Sequence, residues 1–218
     1  DNVRLFITMK LIMENWRQFL KSKVFGTNKI KVTNPKIQNI IDKLIETKGL
    51  YILIEKVSDQ LCVVKYQQEE GQALLGMIRI HKAKIYTGEC LNSWVVKVSK
   101  AKSGWGPLLY EVAMEWSSMP KNGTGLTPDR EVVSADARKI WNVYYSRSDI
   151  KKLQLDSHPR FDDLDQITPD NPKDDCSQFM SSRMGGDKNW LKSPLSKVYS
   201  KKPEEINKLT SINKIRIT

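Results

Sequence analysis

The sequence predicts an α+β fold in which a mixed, mostly antiparallel sheet is flanked by helices. Segments rich in β-branched and aromatic residues follow one another closely over residues 49–99, with short turns between them. Apolar residues recur at helical spacing before and after this region. These observations divide the chain into an N-terminal helical segment over residues 1–48, a mixed domain over residues 49–155, and an irregular C-terminal extension over residues 156–218, made of an acidic linker and a docking segment.

Two amphipathic helices are predicted in the N-terminal segment. Asn34 and Pro35 mark the start of the second helix, as its N-cap and its first helical residue, and Gly49 marks its end. The apolar face of the first helix consists of Met9, Ile12, Met13, Trp16, Phe19 and Leu20. The buried stripe of the second consists of Ile37, Ile40, Ile41, Leu44 and Ile45.

The next part of the sequence has the pattern of closely spaced strands. Their short connections predict antiparallel hairpins. The predicted strands cover residues 50–57, 61–67, 73–81, 84–87 and 91–99. A helix then begins at Pro107, followed by a short strand at residues 126–127, a helix capped by Ser134 that runs through Arg147, and a strand over residues 150–155.

The C-terminal extension is predicted to be irregular at its start and ordered at its end. Residues 156–187 contain several prolines and many aspartates and lack apolar periodicity, which is typical of a loop. Isoleucines over residues 211–218 predict an edge strand. An apolar cluster that should dock on the main domain consists of Trp190, Leu191, Leu195, Val198 and Tyr199.

The charge of the chain is positive and uneven. Its 218 residues carry a net charge of +11. Residues 1–48 hold ten basic and four acidic residues, residues 188–218 hold eight and two, and residues 156–187 hold three and eight. Basic ends favour a polyanionic partner, either nucleic acid or a phosphorylated cofactor. The alternative is a lysine-rich surface that only contacts water.

Several functional classes are disfavoured by composition. The apolar runs are far shorter than the roughly 20 residues that span a bilayer, so no membrane association is predicted. Three cysteines, an odd number, lack metal-ligand spacing, and there are only two histidines, so we expect no metal site, no disulfide framework and a reducing compartment. A secretory signal peptide is not predicted, because charged residues interrupt the N-terminal apolar positions: Arg4, Lys10, Glu14 and Arg17.

The junction between the strand at 91–99 and the helix after it is the most informative motif. A glycine turn that opens a helix leaves backbone N–H groups free at the positive end of the helix dipole, which suits a pyrophosphate. Gly104 and Gly106 would permit close approach of the backbone, and Lys100 and Lys102 would add positive charge. The alternative is a plain tight turn before a helix.

Over roughly residues 50–155, antiparallel strands lead through a last strand to a glycine turn, and a helix, a short strand and a second helix follow. This order of elements resembles that of the GNAT superfamily of N-acyltransferases. In that family a Gln/Arg-x-x-Gly-x-Gly/Ala loop binds the pyrophosphate of acetyl-CoA, and Ala101-Lys-Ser-Gly-Trp-Gly106 matches it with alanine in the first position. The resemblance implies acetyl-CoA as cofactor. The implied cofactor-binding residues are Val96, Val98, Lys102, Ser103, Gly104, Trp105, Gly106 and Leu108.

The resemblance also implies a reaction, the transfer of an acetyl group from acetyl-CoA to an amine. A backbone N–H near Val98 would stabilise the oxyanion, and Asp129 would take the proton of the amine. The helix around residues 137–145 resembles the family helix that carries a tyrosine acid. Trp141 stands at the family's tyrosine position, so the expectation passes to Tyr144 or Tyr145. The identity of the acceptor amine stays open.

A second resemblance concerns the start of the chain. Residues 9–20 are similar to the beginnings of many tailed-phage proteins, and within them Ile12-Met-Glu14 resembles a site cut by phage prohead proteases. An ordinary amphipathic helix explains the same residues. The phage resemblance implies a location in the cytoplasm of an infected host cell or in the virion. It also supports the alternative function, a non-catalytic virion or nucleic-acid-binding protein with a degenerate GNAT-like fold whose basic ends contact nucleic acid or virion proteins.

Overall fold

The computed structural model describes residues 34–71, 75–83, 88–129, 133–157, 176–178 and 192–218. The chain divides into two units, residues 1–35 and residues 36–218, and the described residues lie almost entirely in the second. The boundaries predicted after residues 48 and 155 both fall inside this second unit. The helix predicted over residues 9–20, the strand at 84–87, and Trp190 and Leu191 lie outside the described residues.

Helices and strands of the described residues alternate along the chain much as the hydrophobic periodicity predicts. In chain order they are α1 (Pro35–Glu46), β1 (Leu50–Ser58), β2 (Leu61–Gln68), β3 (Gly76–Lys82), β4 (Trp94–Ala101), α2 (Gly106–Ser117), β5 (Leu126–Thr127), α3 (Ala135–Ser146), β6 (Lys151–Ser157), β7 (Cys176–Gln178), a short 3-10 helix (Pro194–Ser196), β8 (Lys197–Ser200), α4 (Glu204–Ser211) and β9 (Ile215–Ile217).

All the described strands belong to one mixed sheet in the order β7-β6-β8-β5-β4-β3-β2-β1-β9. The meander from β1 to β4 is antiparallel throughout, as the short turns predict. β8 pairs antiparallel with both β5 and β6. The parallel pairs are β4 with β5, β1 with β9, and β6 with β7. The predicted α+β class, with a mixed and mostly antiparallel sheet, is therefore confirmed.

The packing core forms between this sheet and α2. In β1 the side chains of Leu50, Ile52 and Ile54 are buried on one face, which gives the strand its alternating pattern. α2 is buried on every side from Leu108 to Ser117 and contacts β2, β3, β4, β5, β8 and α4. A helix enclosed in this way is fixed in position, so its first turn is held against the end of β4.

The ends of the chain agree with prediction in most respects. α1 begins at Pro35, as predicted, although Ile45 of its expected stripe is exposed. β9 is the predicted edge strand and pairs with β1. Within the predicted docking cluster, the side chains of Leu195, Val198 and Tyr199 are buried.

Three expectations need correction. β4 begins at Trp94, not at residue 91, because Asn92 has a positive φ of 70° and turns the chain before the strand. A strand, β7, lies within the stretch predicted to be irregular; its partner β6 supplies backbone hydrogen bonds that the sequence pattern does not reveal. The odd number of cysteines predicted no disulfide framework, but Cys90 is disulfide-bonded, while Cys62 is a buried free thiol.

Candidate functional site

Strands β4 and β5 separate almost as soon as they pair. Their parallel ladder contains only Trp94 opposite Leu126 and Val95 opposite Thr127. β5 then ends, whereas β4 continues to Ala101. The two strands therefore run parallel in one sheet over these two pairs and then splay apart. Within the described residues, the edge of β4 on the side of β5 has no strand partner beyond Val95, and we call it the open edge of β4.

A β-bulge lies in β4 where the opening begins. Val96 is opposite Ile80 and Val98 is opposite Arg79, so Lys97 is an extra residue with no partner across the ladder to β3. Bulges interrupt strand pairing and redirect a side chain, and they are common beside functional sites. The backbone at Lys97 is therefore irregular on the side of β3 and open on the side of β5.

A cleft occupies the space between the open edge of β4 and the first turns of α2 and α3. Its wider part has a volume of about 590 Å³ and its narrower continuation about 240 Å³. Ser99, Tyr110, Ser134 and Ala137 line both parts, so they form one continuous cleft. The wide part adds Lys100, Lys102, Ser103, Gly104, Gly106 and Lys139, and the narrow part adds Val96, Lys97, Val98, Asp129, Val133 and Trp141.

The glycine loop forms the floor of the wide part. The Trp105 N–H donates to the Lys102 carbonyl at 3.0 Å, which closes a tight turn, and Gly104 inside this turn has a φ of +82° that a side chain would strain. Trp105 is the N-cap of α2 but supplies no side-chain cap. The first N–H groups of a helix have no intrahelical acceptor, so those at the start of α2 can bind an anion in the cleft.

The charges around the loop favour the same kind of ligand. The first turn of α2 contains no acidic residue. Among the described residues no carboxylate lies within ion-pair distance of Lys100 or Lys102. Lys139, on the facing wall, is held by Asp136 at 2.9 Å in an exposed pair. The helix end and the two lysines together make the wide part of the cleft electropositive.

The narrow part of the cleft has a polar pair on each side. The hydroxyls of Tyr110 and Ser99 lie 2.8 Å apart, and burial raises the pKa of Tyr110 although the hydrogen bond opposes this shift. Across the opening, the Lys97 ammonium lies 2.9 Å from the Asp129 carboxylate. Between these pairs the walls are apolar, because Val96 and Val98 face the space.

Most of the predicted cofactor residues come together in this cleft. Six of the eight line it: Val96, Val98, Lys102, Ser103, Gly104 and Gly106. Asp129 lies in its narrow part, as the prediction of a role near the acceptor requires. The other two side chains point elsewhere. Trp105 packs edge-on against Tyr66 at 5.1 Å, and Leu108 is completely buried in the core.

The two predicted catalytic tyrosines do not line the cleft. Tyr144 is buried against Trp141 and Tyr199, and its pKa is raised well above the usual value by burial and by the charge of Glu111. Tyr145 is exposed, with Lys197 over its ring. One tyrosine is thus in the core and the other on the surface, as helical spacing predicts.

The tyrosine that does line the cleft, Tyr110, comes from α2 and was missed. A signal for it exists in the sequence. Tyr110 lies four residues after Gly106, so the two share one face of the helix. Any ligand bound at the glycine loop would therefore meet this residue next along α2.

Behind the cleft, α2 carries a buried cluster of charges. Arg147 donates to both carboxylate oxygens of Glu111, each at 2.8 Å, and also pairs with Asp149. The Lys201 ammonium lies 2.8 Å from Glu111 and 3.0 Å from Glu115. Both glutamates are almost completely buried, so each depends on these cations.

Glu115 also holds the C-terminal helix in place. Its carboxylate accepts the backbone N–H groups of Glu205 at 3.0 Å and Ile206 at 2.8 Å. Pro203, the N-cap of α4, has no side-chain cap, so Glu115 takes that role from a distant part of the chain. Burial raises the pKa of Glu115 to about 7, although Lys201 and the two N–H groups oppose the shift.

Comparisons of the chain with protein-family models, with curated proteins and with solved structures find no match. Within the described ranges, no group of three His, Cys, Asp or Glu side chains could hold a metal ion. None of the helices in those ranges is long and apolar enough to cross a membrane. The cleft is therefore the candidate functional site.

Proposed function

We propose that the protein binds acetyl-CoA in the cleft between β4 and β5 and transfers the acetyl group to an amine. The observation that carries this proposal is the splay of two parallel strands directly beside a glycine loop and an uncapped helix start. In the GNAT superfamily the cofactor cleft opens at a splay of this kind. The proposal extends the resemblance of the sequence to that family.

The residues of the wide part suit a pyrophosphate. A side-chain carbon at Gly104 would meet no atom within 4 Å, so the loop faces open space, and one at Gly106 would meet only Ala101, at 3.6 Å. The start of α2 offers N–H donors, and Lys100 and Lys102 offer positive charge. Donors of this type match a polyanion.

The open edge of β4 suits the arm and the acyl group. An extended ligand can pair with backbone groups that β5 leaves unpaired after Thr127. The irregular backbone between Val96 and Val98 would direct a backbone N–H at the thioester oxygen. Asp129 would receive the proton of the incoming amine. Bound acetyl-CoA would supply the activated thioester.

A second candidate is a binding protein without catalysis, with the same fold and a partner among nucleic acids or virion proteins. One observation favours it: neither Tyr144 nor Tyr145, the predicted acids, reaches the cleft. Tyr110 is the hydroxyl that remains, and its raised pKa makes it a weak acid for a departing thiolate. This candidate retains the proposed phage origin and predicts that acetyl-CoA does not bind.

The proposal is tested by calorimetric titration of the wild type and Gly106→Val with acetyl-CoA. A side chain at this position would displace a phosphate oxygen from the helix start. Losing one or two charge-assisted hydrogen bonds, about 1.5–3 kcal/mol each, should weaken binding tenfold or more. Absence of binding to the wild type, or equal affinity of the two proteins, would contradict the proposal.

The folding control for this experiment is circular dichroism of both proteins. Because Gly106 precedes Pro107, a β-branched residue there disfavours the helical conformation. Gly106→Ala is therefore the companion variant, since it adds one carbon with less backbone strain. We expect an affinity between those of the wild type and Gly106→Val.

A further inference from the structure

Lys97 occupies a special position in the narrow part of the cleft. It is the extra residue of the bulge in β4, and it lines the cavity together with both of its neighbours, Val96 and Val98. Lys97 and Asp129 each lie two residues beyond the last paired positions, Val95 and Thr127. They therefore face each other where the strands separate, and their ion pair at 2.9 Å spans the opening.

This ion pair places a primary amine beside a carboxylate that can take its proton. The Lys97 side chain is 35% exposed, so it can leave the pair, while Asp129 is only 13% exposed. Both lie beside Val96 and Val98, the stretch of β4 to which the proposed function assigns the acyl group. The remaining lysines of the cleft, Lys100, Lys102 and Lys139, line its wide part near the glycine loop.

We infer that Lys97 is itself an acyl acceptor, so that the protein acetylates its own Lys97 Nζ from bound acetyl-CoA. This inference rests on the proposed function. The Lys97 ammonium first gives a proton to the Asp129 carboxylate, which passes it to water. The neutral Nζ then attacks the thioester carbonyl carbon; the C–N bond forms, the C–S bond breaks and the leaving thiolate takes up a proton. In sum, one ammonium and one thioester give one amide, one thiol and one proton.

Acetylation of Lys97 would change the acceptor end of the cleft. An amide carries no charge, so the ion pair that spans the opening is lost. A cationic acceptor amine would then meet the Asp129 carboxylate without competition from Lys97. Self-acetylation would in this way remove the ion pair that lines the narrow part and leave its cavity to an external amine.

The experiment incubates the full chain with acetyl-CoA and follows the acetylation of each lysine by peptide mass mapping. Acetic anhydride, a small reagent that needs no cofactor site, measures the intrinsic reactivity of each lysine. The extent of acetylation of each lysine by acetyl-CoA is divided by its extent of acetylation by acetic anhydride. We expect the normalised value for Lys97 to exceed those of Lys100, Lys102 and Lys139 by about tenfold or more, because the amine is held beside the reacting carbon. The rate should not depend on protein concentration.

Two variants and a binding measurement separate the outcomes. Asp129→Asn should slow the modification of Lys97, and Lys97→Arg, which keeps the charge, should abolish it. If the wild type binds acetyl-CoA but Lys97 is modified no faster than the three other lysines, this inference is wrong and the proposed function stands. If calorimetry shows no binding of acetyl-CoA, the proposed function fails and the inference fails with it.

Discussion

The two ends of α2 differ in whether their polar groups have partners within the protein. At its start, the helix has no acidic residue and no side-chain cap, and its N–H groups face a cleft. In its second half, Glu111 and Glu115 are buried and are held by cations and backbone donors from three other segments. The charged side chains that α2 buries are paired, whereas its backbone N–H donors at the cleft, where a ligand can enter, have no side-chain cap.

This difference separates stability from function along one helix. A buried charge without a partner costs several kcal/mol, so the second half of α2 must be complete for the chain to fold. The start of α2 faces solvent, where water satisfies the same donors at little cost. Changes in the second half should therefore alter folding, and changes at the start should alter ligand binding.

The largest effect is expected from Lys201→Met. This variant leaves the buried carboxylates of Glu111 and Glu115 without their shared cation, which should lower the free energy of unfolding by about 3–5 kcal/mol. Urea denaturation measures it. The matched control is Lys65→Met, which removes a half-exposed pair with Glu55 and should cost about 0–1 kcal/mol. Similar losses in the two variants would show that the buried cluster is not special.

The sequence could predict the periodic part of this fold and little of the buried cluster. The strands from β1 to β4 and the glycine loop follow from local patterns, because turns and alternation act over a few residues. The cluster joins residues far apart, 36 positions for Arg147 and Glu111 and 90 for Lys201 and Glu111. No local pattern indicates such pairs.

The candidate site divides in the same way. The loop residues were predictable because glycines and lysines near a helix start have a local meaning. The choice of tyrosine was not, because Tyr144, Tyr145 and Tyr110 all lie on helices and only packing decides which of them faces the cleft. Asp129 was placed by its position just after β5, and the structure puts it beside the bulge.

The second prediction concerns pH. The pKa of Glu115 is raised to about 7 in the folded state, above its value in the unfolded chain. The folded state therefore binds this proton more tightly, and its contribution to stability is complete at acidic pH and is lost as the pH rises toward about 7. Glu115→Gln keeps an acceptor for the N–H groups of α4 and removes the titration. We expect its unfolding free energy to decline less between pH 5 and pH 8, roughly the span of this titration, than that of the wild type.

Urea denaturation of both proteins across this range checks the pH prediction. A wild type whose stability rises with pH over the same range, relative to Glu115→Gln, would mean that the cations dominate and hold the pKa of Glu115 below its usual value. That outcome would mean that Glu115 is ionised within the buried cluster rather than partly protonated.

The third prediction uses two glycines with similar backbones. Gly104 has a φ of +82° and Gly71 a φ of +89°, and a side-chain carbon at either would meet no atom within 4 Å. Replacing either by alanine should therefore cost a similar amount, about 1–2 kcal/mol of stability. Only Gly104 lies in the cleft, so Gly104→Ala alone should weaken acetyl-CoA binding, by about tenfold. Equal affinities in a titration would mean that the loop does not contact the ligand.

The smallest effect is expected from Tyr110→Phe. The hydrogen bond between the Tyr110 and Ser99 hydroxyls lies at the edge of the cleft, and Ser99 is exposed to water when the bond is lost. The free energy of unfolding should fall by only about 0.5–1.5 kcal/mol. Chemical denaturation of Tyr110→Phe, Ser99→Ala and the double variant measures the coupling. A loss as large as that expected for Lys201→Met would show that Tyr110, like the buried glutamates of α2, is needed chiefly for stability.

We propose that the open start of α2 and the open edge of β4 form one acyl-CoA site. Backbone amide chemical shifts, recorded by NMR while acetyl-CoA is added, test it directly. We predict the largest changes at Val98, Ser103, Gly104 and Gly106, with little change around Glu115. No change at any amide, or changes that avoid both the loop and β4, would show that acetyl-CoA does not bind in this cleft.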